Sequence, residues 1–190
     1  MVVLLWLVLL ANDGGLLWIK SRANVDDHFL FDTNSGNLQY LNSNTTDAHP
    51  NGSAANPYLG SFNTDGFSFT GGNAGAFGWN GSARTYASWT FKKQTKFFDV
   101  VTWSGDNVVG REIPHSLGST PGCIIMKATS VAQEWVVYHR SNTANPETEY
   151  LVLNTTAATA DYDGWWNDTA PTSTNFTLGL DNNVTGRTYV

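Results

Sequence analysis

Between residues 85 and 91 apolar and polar side chains alternate. Ala87, Trp89 and Phe91 fall on one side, and Tyr86, Ser88 and Thr90 on the other. A period of two marks a half-buried β-strand. The alternation predicts that Ala87, Trp89 and Phe91 face the core together. Similar runs predict strands at 16–20, 28–32, 38–43 and 66–70 in the first half. In the second they predict strands at 97–104, 108–113, 123–128, 134–139, 149–154, 175–178 and 187–190. Turns rich in Gly, Asn, Asp and Pro separate these runs, with longer polar loops at 45–59, 71–81 and around 161–171. Strands of this length and spacing predict an all-β protein of jelly-roll-like β-sandwich units.

Residues 1–10 are almost wholly apolar. The run lacks the positive start and small-residue cleavage site of a signal peptide, and is too short for a membrane-spanning helix. Asn-Asp-Gly-Gly at 12–15 is a strong hairpin turn. Together they predict a buried strand folding back on 16–20, with a signal peptide or membrane anchor as the alternative.

The chain repeats itself. Asn-Gly-Ser-Ala-Arg-Thr-Tyr at 80–86 is answered by Asn-Val-Thr-Gly-Arg-Thr-Tyr at 183–189. Residues 17–20, 28–31, 40–46 and 66–69 match 124–127, 135–138, 150–156 and 175–178, in the same order. Collinear matches of this kind predict one β unit used twice. The boundary falls near 92–96, giving units 1–93 and 94–190, in tandem; the alternative is one large sandwich over 1–190. The second closing strand stops at Val190 where its counterpart runs on as Ala-Ser-Trp-Thr-Phe. An apolar edge there, and the apolar run at 1–10, predict a homo-oligomer.

Composition narrows the function. Aromatics make up 13% with 8 Trp, and charged residues only 14%, as suits a turn-rich β protein. Net charge is −6 and the only basic cluster is Lys92, Lys93 and Lys96, which argues against nucleic-acid binding. The single cysteine, Cys123, excludes an intrachain disulfide framework. Its Cys-Ile-Ile-Met setting reads as a small buried hydrophobe.

Candidate chemistry is sparse. Asp26, Asp27 and His28 could form an acid/base cluster, but the second half has Gln133, Glu134 and Trp135 there. His115 lies in a turn and His139 closes a strand. No nucleophile elbow, metal-binding His pair or phosphate loop is present. Asp161, Asp163, Asn167 and Asp168 crowd around Gly164. Calcium takes such oxygen ligands from loops, although Asp and Asn are also ordinary turn residues. Otherwise no cofactor is expected. Trp165 and Trp166 sit in the same loop, and Trp79 in the glycine-rich loop of the first half. An exposed indole in such a place could stack on a sugar ring; the competing account buries them. Asn-x-Ser/Thr sequons recur, as at Asn44 and Asn154, and the Asn/Thr-rich composition explains them.

Four longer motifs carry a resemblance. They are Phe-Phe-Asp-Val-Val-Thr-Trp-Ser-Gly at 97–105, Arg-Glu-Ile-Pro-His-Ser-Leu-Gly at 111–118, Trp-Val-Val-Tyr-His at 135–139 and Trp-Asn-Asp-Thr-Ala-Pro at 166–171. They resemble the repeat units of virion proteins of marine bacteriophages. Those resemble tail-fibre and other appendage components with a concanavalin A-like or laminin G-like sandwich. The resemblance runs from 16 to 190. It implies a non-enzymatic structural and adhesive protein, located in the virion and assembled in the bacterial cytoplasm. Its implied partners are other virion proteins, further copies of itself and host surface glycans, without membrane insertion. A free lectin-like carbohydrate-binding module and a tailspike glycan hydrolase are the alternatives.

Overall fold

The alternation at 16–20 becomes strand β1 (Gly15–Ser21), buried and half-buried by turns. A computed structural model of the protein describes residues 13–50, 58–70, 79–81 and 83–190. The predicted strand at 1–10 lies outside the described residues. β2 (His28–Asp32), β3 (Leu41–Asn42), β4 (Tyr58–Phe62), β5 (Phe67–Thr70) and β6 (Tyr86–Lys92) follow. β1 pairs antiparallel with β2 on one edge and β6 on the other, giving a sheet ordered β3-β2-β1-β6. Both edges of β1 are therefore taken. β4 and β5 form a separate hairpin, and β4 corrects the predicted loop at 45–59.

Register decides which residues meet. Leu17 lies opposite Phe31 and Ile19 opposite Phe29, so their side chains share one face. That face packs with Leu59 and Trp79 into one core. On the other face Leu16 and Trp18 pack beside Leu30, Leu41 and Trp135. Trp135 comes from the second half, so this sheet is covered on both faces. The same register corrects the expected orientation of β6. Ser88 lies opposite Ile19 and Trp89 opposite Trp18. Tyr86, Ser88 and Thr90 thus share the side of the Leu17–Ile19 core, and Trp89 is 49% exposed, edge-on to Trp18 at 6.2 Å. The aromatic side of the alternation belongs to the face of Leu16 and Trp18.

The second half contributes β7 (Trp103–Ser104), β8 (Glu112–Pro114), β9 (Cys123–Met126), β10 (Val136–His139), β11 (Glu149–Val152), β12 (Ala160–Asp161), β13 (Asn175–Thr177) and β14 (Thr188–Tyr189). Its larger sheet runs β12-β11-β10-β9, and β13–β8 and β14–β7 form two short ribbons. The predicted strands at 97–104 and 108–113 shrink to β7 and β8. The one α-helical turn is α1 (Asp163–Trp166). Trp103, Met126, Tyr138, Trp166 and Leu178 belong to the second core. Cys123 and Ile125 are exposed on β9, which corrects the buried reading of Cys123. The chain is thus all-β and sandwich-like. Among the described residues no helix is long and apolar enough to cross a membrane.

Matched residues of the two halves make matched bonds. Ser21 faces Tyr86, and Ala128 faces Tyr189. The Tyr86 hydroxyl accepts from Gly81 N at 2.6 Å, and that of Tyr189 from Val184 N at 3.1 Å. Asn44 Oδ1 accepts from His28 N, as Asn154 Oδ1 does from Trp135 N. Lys20 Nζ donates to Ser21 O and Asn24 O, and Lys127 Nζ to Ala128 O and Val131 O.

Lys127 is fully buried, with no carboxylate in ion-pair range among the described residues. Burial pushes its pKa down to about 8, against some opposition from Asp47. At pH 7 the lysine is charged in both the folded and the unfolded chain. Between about 8 and the ordinary value of 10.5 the folded chain releases this proton first, so stability from this group rises with pH. Denaturant unfolding should therefore show the wild type gaining on Lys127→Met across that window, by on the order of 3 kcal/mol. A difference that stays flat with pH contradicts the buried, unpaired ammonium.

Candidate functional site

The loop after β12 is shaped by its polar residues. α1 stops after one turn because Asn167 and Asp168 both take left-handed backbone, with φ of 51° and 46°. Asn and Asp tolerate that conformation better than most residues. Thr169 N then bonds back to Trp166 O at 3.1 Å. Asp161, Asp163 and Asp168 all point to solvent. Among the described residues no three His, Cys, Asp or Glu side chains gather where they could hold a metal ion. These carboxylates are distributed along a turn, as the turn-residue reading has them.

Gly179 closes this loop onto the core. Its backbone N donates to Trp165 O at 2.9 Å, and a Cβ there would run into the Gly164 carbonyl. Trp166 is 2% exposed and meets Tyr138 edge-on, and Trp79 is 2% exposed among Phe29, Phe31 and Tyr40. Neither has a free face for a sugar, which corrects both as stacking residues. Trp165 keeps part of its surface and clusters with Tyr150 and Tyr162. The Tyr162 hydroxyl donates to Asp181 Oδ2 at 2.7 Å.

Three histidines have local duties. His28 Nδ1 accepts from the Trp18 indole, His115 Nδ1 from Leu117 N and His139 Nδ1 from Ser141 N. Asp26 pairs with Arg84 at 3.1 Å, and Asp27 accepts from Asn44 Nδ2. The acid/base cluster at 26–28 is therefore engaged in holding the turn before β2.

A cleft of about 280 Å³ opens between the halves, a place that no single stretch of sequence marks. Asn34, Ser35 and His49 line it from the first half, and Thr102, Ser104 and Thr188 from the second. Trp103 and Tyr189, stacked at 5.4 Å, supply its apolar part. Asp32 Oδ1 accepts from Asn34 N at 2.9 Å and Ser35 N at 2.7 Å, which fixes that wall. The opposite wall is tied by the Thr129 and Thr188 hydroxyls, 2.6 Å apart. His49 is anchored through its backbone N to Thr129 O at 2.8 Å. Its Nε2 is buried without a hydrogen-bond partner. Burial lowers the His49 pKa, Asp32 opposes and Lys127 assists, so the imidazole is neutral at pH 7. Sequence reading missed His49 because it lies in a long polar loop, 53 positions from Thr102.

The two adjacent tryptophans should separate cleanly in denaturant unfolding. Trp166→Ala is expected to cost about 3–5 kcal/mol, as a large core truncation does. Trp165→Ala is expected to cost no more than about 2 kcal/mol. Equal losses would contradict the buried and half-buried assignments.

No curated protein and no solved structure matches the chain. One family model matches residues 10–190, nearly the whole chain. By that match the chain belongs to the family described as a domain of unknown function, DUF7483.

Proposed function

We propose that this protein is a non-enzymatic structural and adhesive component of a phage virion, on a tail fibre or other appendage. In this reading residues 1–93 and 94–190 form two sandwich repeats that present a rigid β surface to virion partners and to host glycans. The observation that carries the interaction role is the outer edge of β6. In the second half β14 is flanked by β7. Among the described residues no strand flanks the equivalent edge of β6, which ends the order β3-β2-β1-β6. A seven-residue strand with one edge unpaired among the described residues offers a row of backbone donors and acceptors to another chain. Trp89, half exposed on this strand, adds an aromatic anchor of the kind enriched at protein interfaces. The virion setting draws on the resemblance of the motifs at 97–105, 111–118, 135–139 and 166–171.

A lectin-like role is favoured by the polar cleft between the halves. A glycan hydrolase needs two carboxylates flanking the sugar, and among the described residues no Asp or Glu lines this cleft.

Mass spectrometry of purified virions should find the chain as a structural component. Sedimentation of the purified protein at micromolar concentration should show an oligomer, and Trp89→Lys should weaken its association at least about tenfold, a loss of about 1.4 kcal/mol. Absence from virions together with a stable monomer would contradict the proposal.

A further inference from the structure

We propose that the outer edge of β5 is a docking site for a strand, and that residues 5–7 of the same chain occupy it as β8 occupies the edge of β13 in the second half.

Backbone alternation shows which side of β5 is open. Asn63 N donates to Gly66 O at 2.7 Å across the turn between β4 and β5. In an antiparallel strand the backbone groups of successive residues point to opposite edges. Those of Gly66, Ser68 and Thr70 therefore face β4, and those of Phe67 and Phe69 face away from it. Among the described residues no strand lies on that second side. An open edge of this kind is a template for another strand.

The second half shows how the matching edge is used. Phe176 and Leu178 stand at the places of Phe67 and Phe69. The Leu178 N–H donates to Arg111 O and its carbonyl accepts from Gly110 N, both at 2.9 Å. Phe176 lies opposite Ile113 of β8. The backbone groups that point outward from β5 are thus the matches of those that hold β8 on β13. The side chains differ to the same effect. Phe176, Leu178 and Ile113 are all buried in the second core. Phe67 and Phe69 are only half-buried at the margin of the first, edge-on to each other at 5.5 Å.

The order of the repeat names the occupant. Counted back from the matched strands at 17–20 and 124–127, β8 falls at Leu5, Trp6 and Leu7, with Ile113 at Trp6. Residues 115–122 join β8 to β9, and 8–14 join this segment to β1, a link of nearly the same length. The segment can therefore reach the site within its own chain. Residues 1–10 carry no charged or hydrogen-bonding side chain except the Trp6 indole. Such a segment gains by leaving water to lie over Phe67 and Phe69. Trp6 then supplies the cover that Ile113 supplies in the second half. Leu5 and Leu7 stand where Glu112 and Pro114 are exposed, which gives this edge an apolar outer side.

Two measurements on the full chain test the pairing. In amide exchange followed by NMR, Phe67 and Phe69 should exchange at least about a hundredfold more slowly than unbonded amides. Removal of residues 1–10 should abolish that protection while β10 stays protected. In a Cys123→Ser background, Leu5→Cys combined with Ser68→Cys should close a disulfide within one chain on mild oxidation. Those two positions match Glu112 and Thr177, which lie opposite each other. Leu4→Cys combined with Ser68→Cys, one place out of register, should not close. The cysteine pairs decide the matter if the shortened chain does not fold. Fast exchange at Phe67 and Phe69 in the full chain would overturn the proposal. So would protection that survives removal of 1–10, equal closure of the two cysteine pairs, or disulfides that link two chains instead of closing within one.

Discussion

The Trp135 indole N–H donates to two carbonyls of the other half, Asn42 O at 2.9 Å and Thr45 O at 3.1 Å. The ring is 3% exposed and fills the space beside Leu30 and Leu41, with Leu16, Trp18 and Val190 around it. A buried indole of this size contributes both apolar area and a hydrogen bond that would be costly to leave unmade. Neighbouring backbone bonds extend the joint, from Gln133 N to Thr46 O and from His49 N to Thr129 O. These contacts carry the loop after β3 across to the second half. His49 stands on the cleft wall because that loop is held there.

The joint also explains where the halves diverge. The position matching Trp135 in the first half is His28, whose imidazole turns back onto the Trp18 indole within its own half. Each still donates its backbone N–H to the asparagine at the matching place, Asn44 or Asn154. The framework bonds are kept, and the side chain is changed where one half meets the other. Similarly β14 has β7 at its side, while among the described residues β6 has no strand there. Two halves with identical outer surfaces could not build one asymmetric junction.

Much of the fold was legible because it is local. Period-two alternation and Gly/Asn punctuation located β1, β2, β5, β6, β10 and β11 closely. The matched segments reappear as matched hydrogen bonds because they fix the same strand neighbours. What failed depended on contacts distant in sequence. The direction of Trp89 depends on which face of β1 meets the larger core, and the aromatic side of β6 belongs to the other face. Trp79 and Trp166 lie in loops by sequence, yet tertiary packing draws both into cores. In the Asp-rich loop the turn-residue reading matches Asn167 and Asp168, which both take left-handed backbone. The cleft assembles residues from separated stretches around the joint, and no periodicity reports such a meeting.

The central claim is that the Trp135 joint holds the halves as one framework and so forms the cleft. Hydrogen exchange of the Trp135 indole N–H, followed by NMR in the native protein, tests it most directly. The account predicts protection comparable to that of the backbone amides of β10, since opening this bond requires separating the halves. Exchange as fast as that of an exposed indole, with β10 still protected, would contradict it.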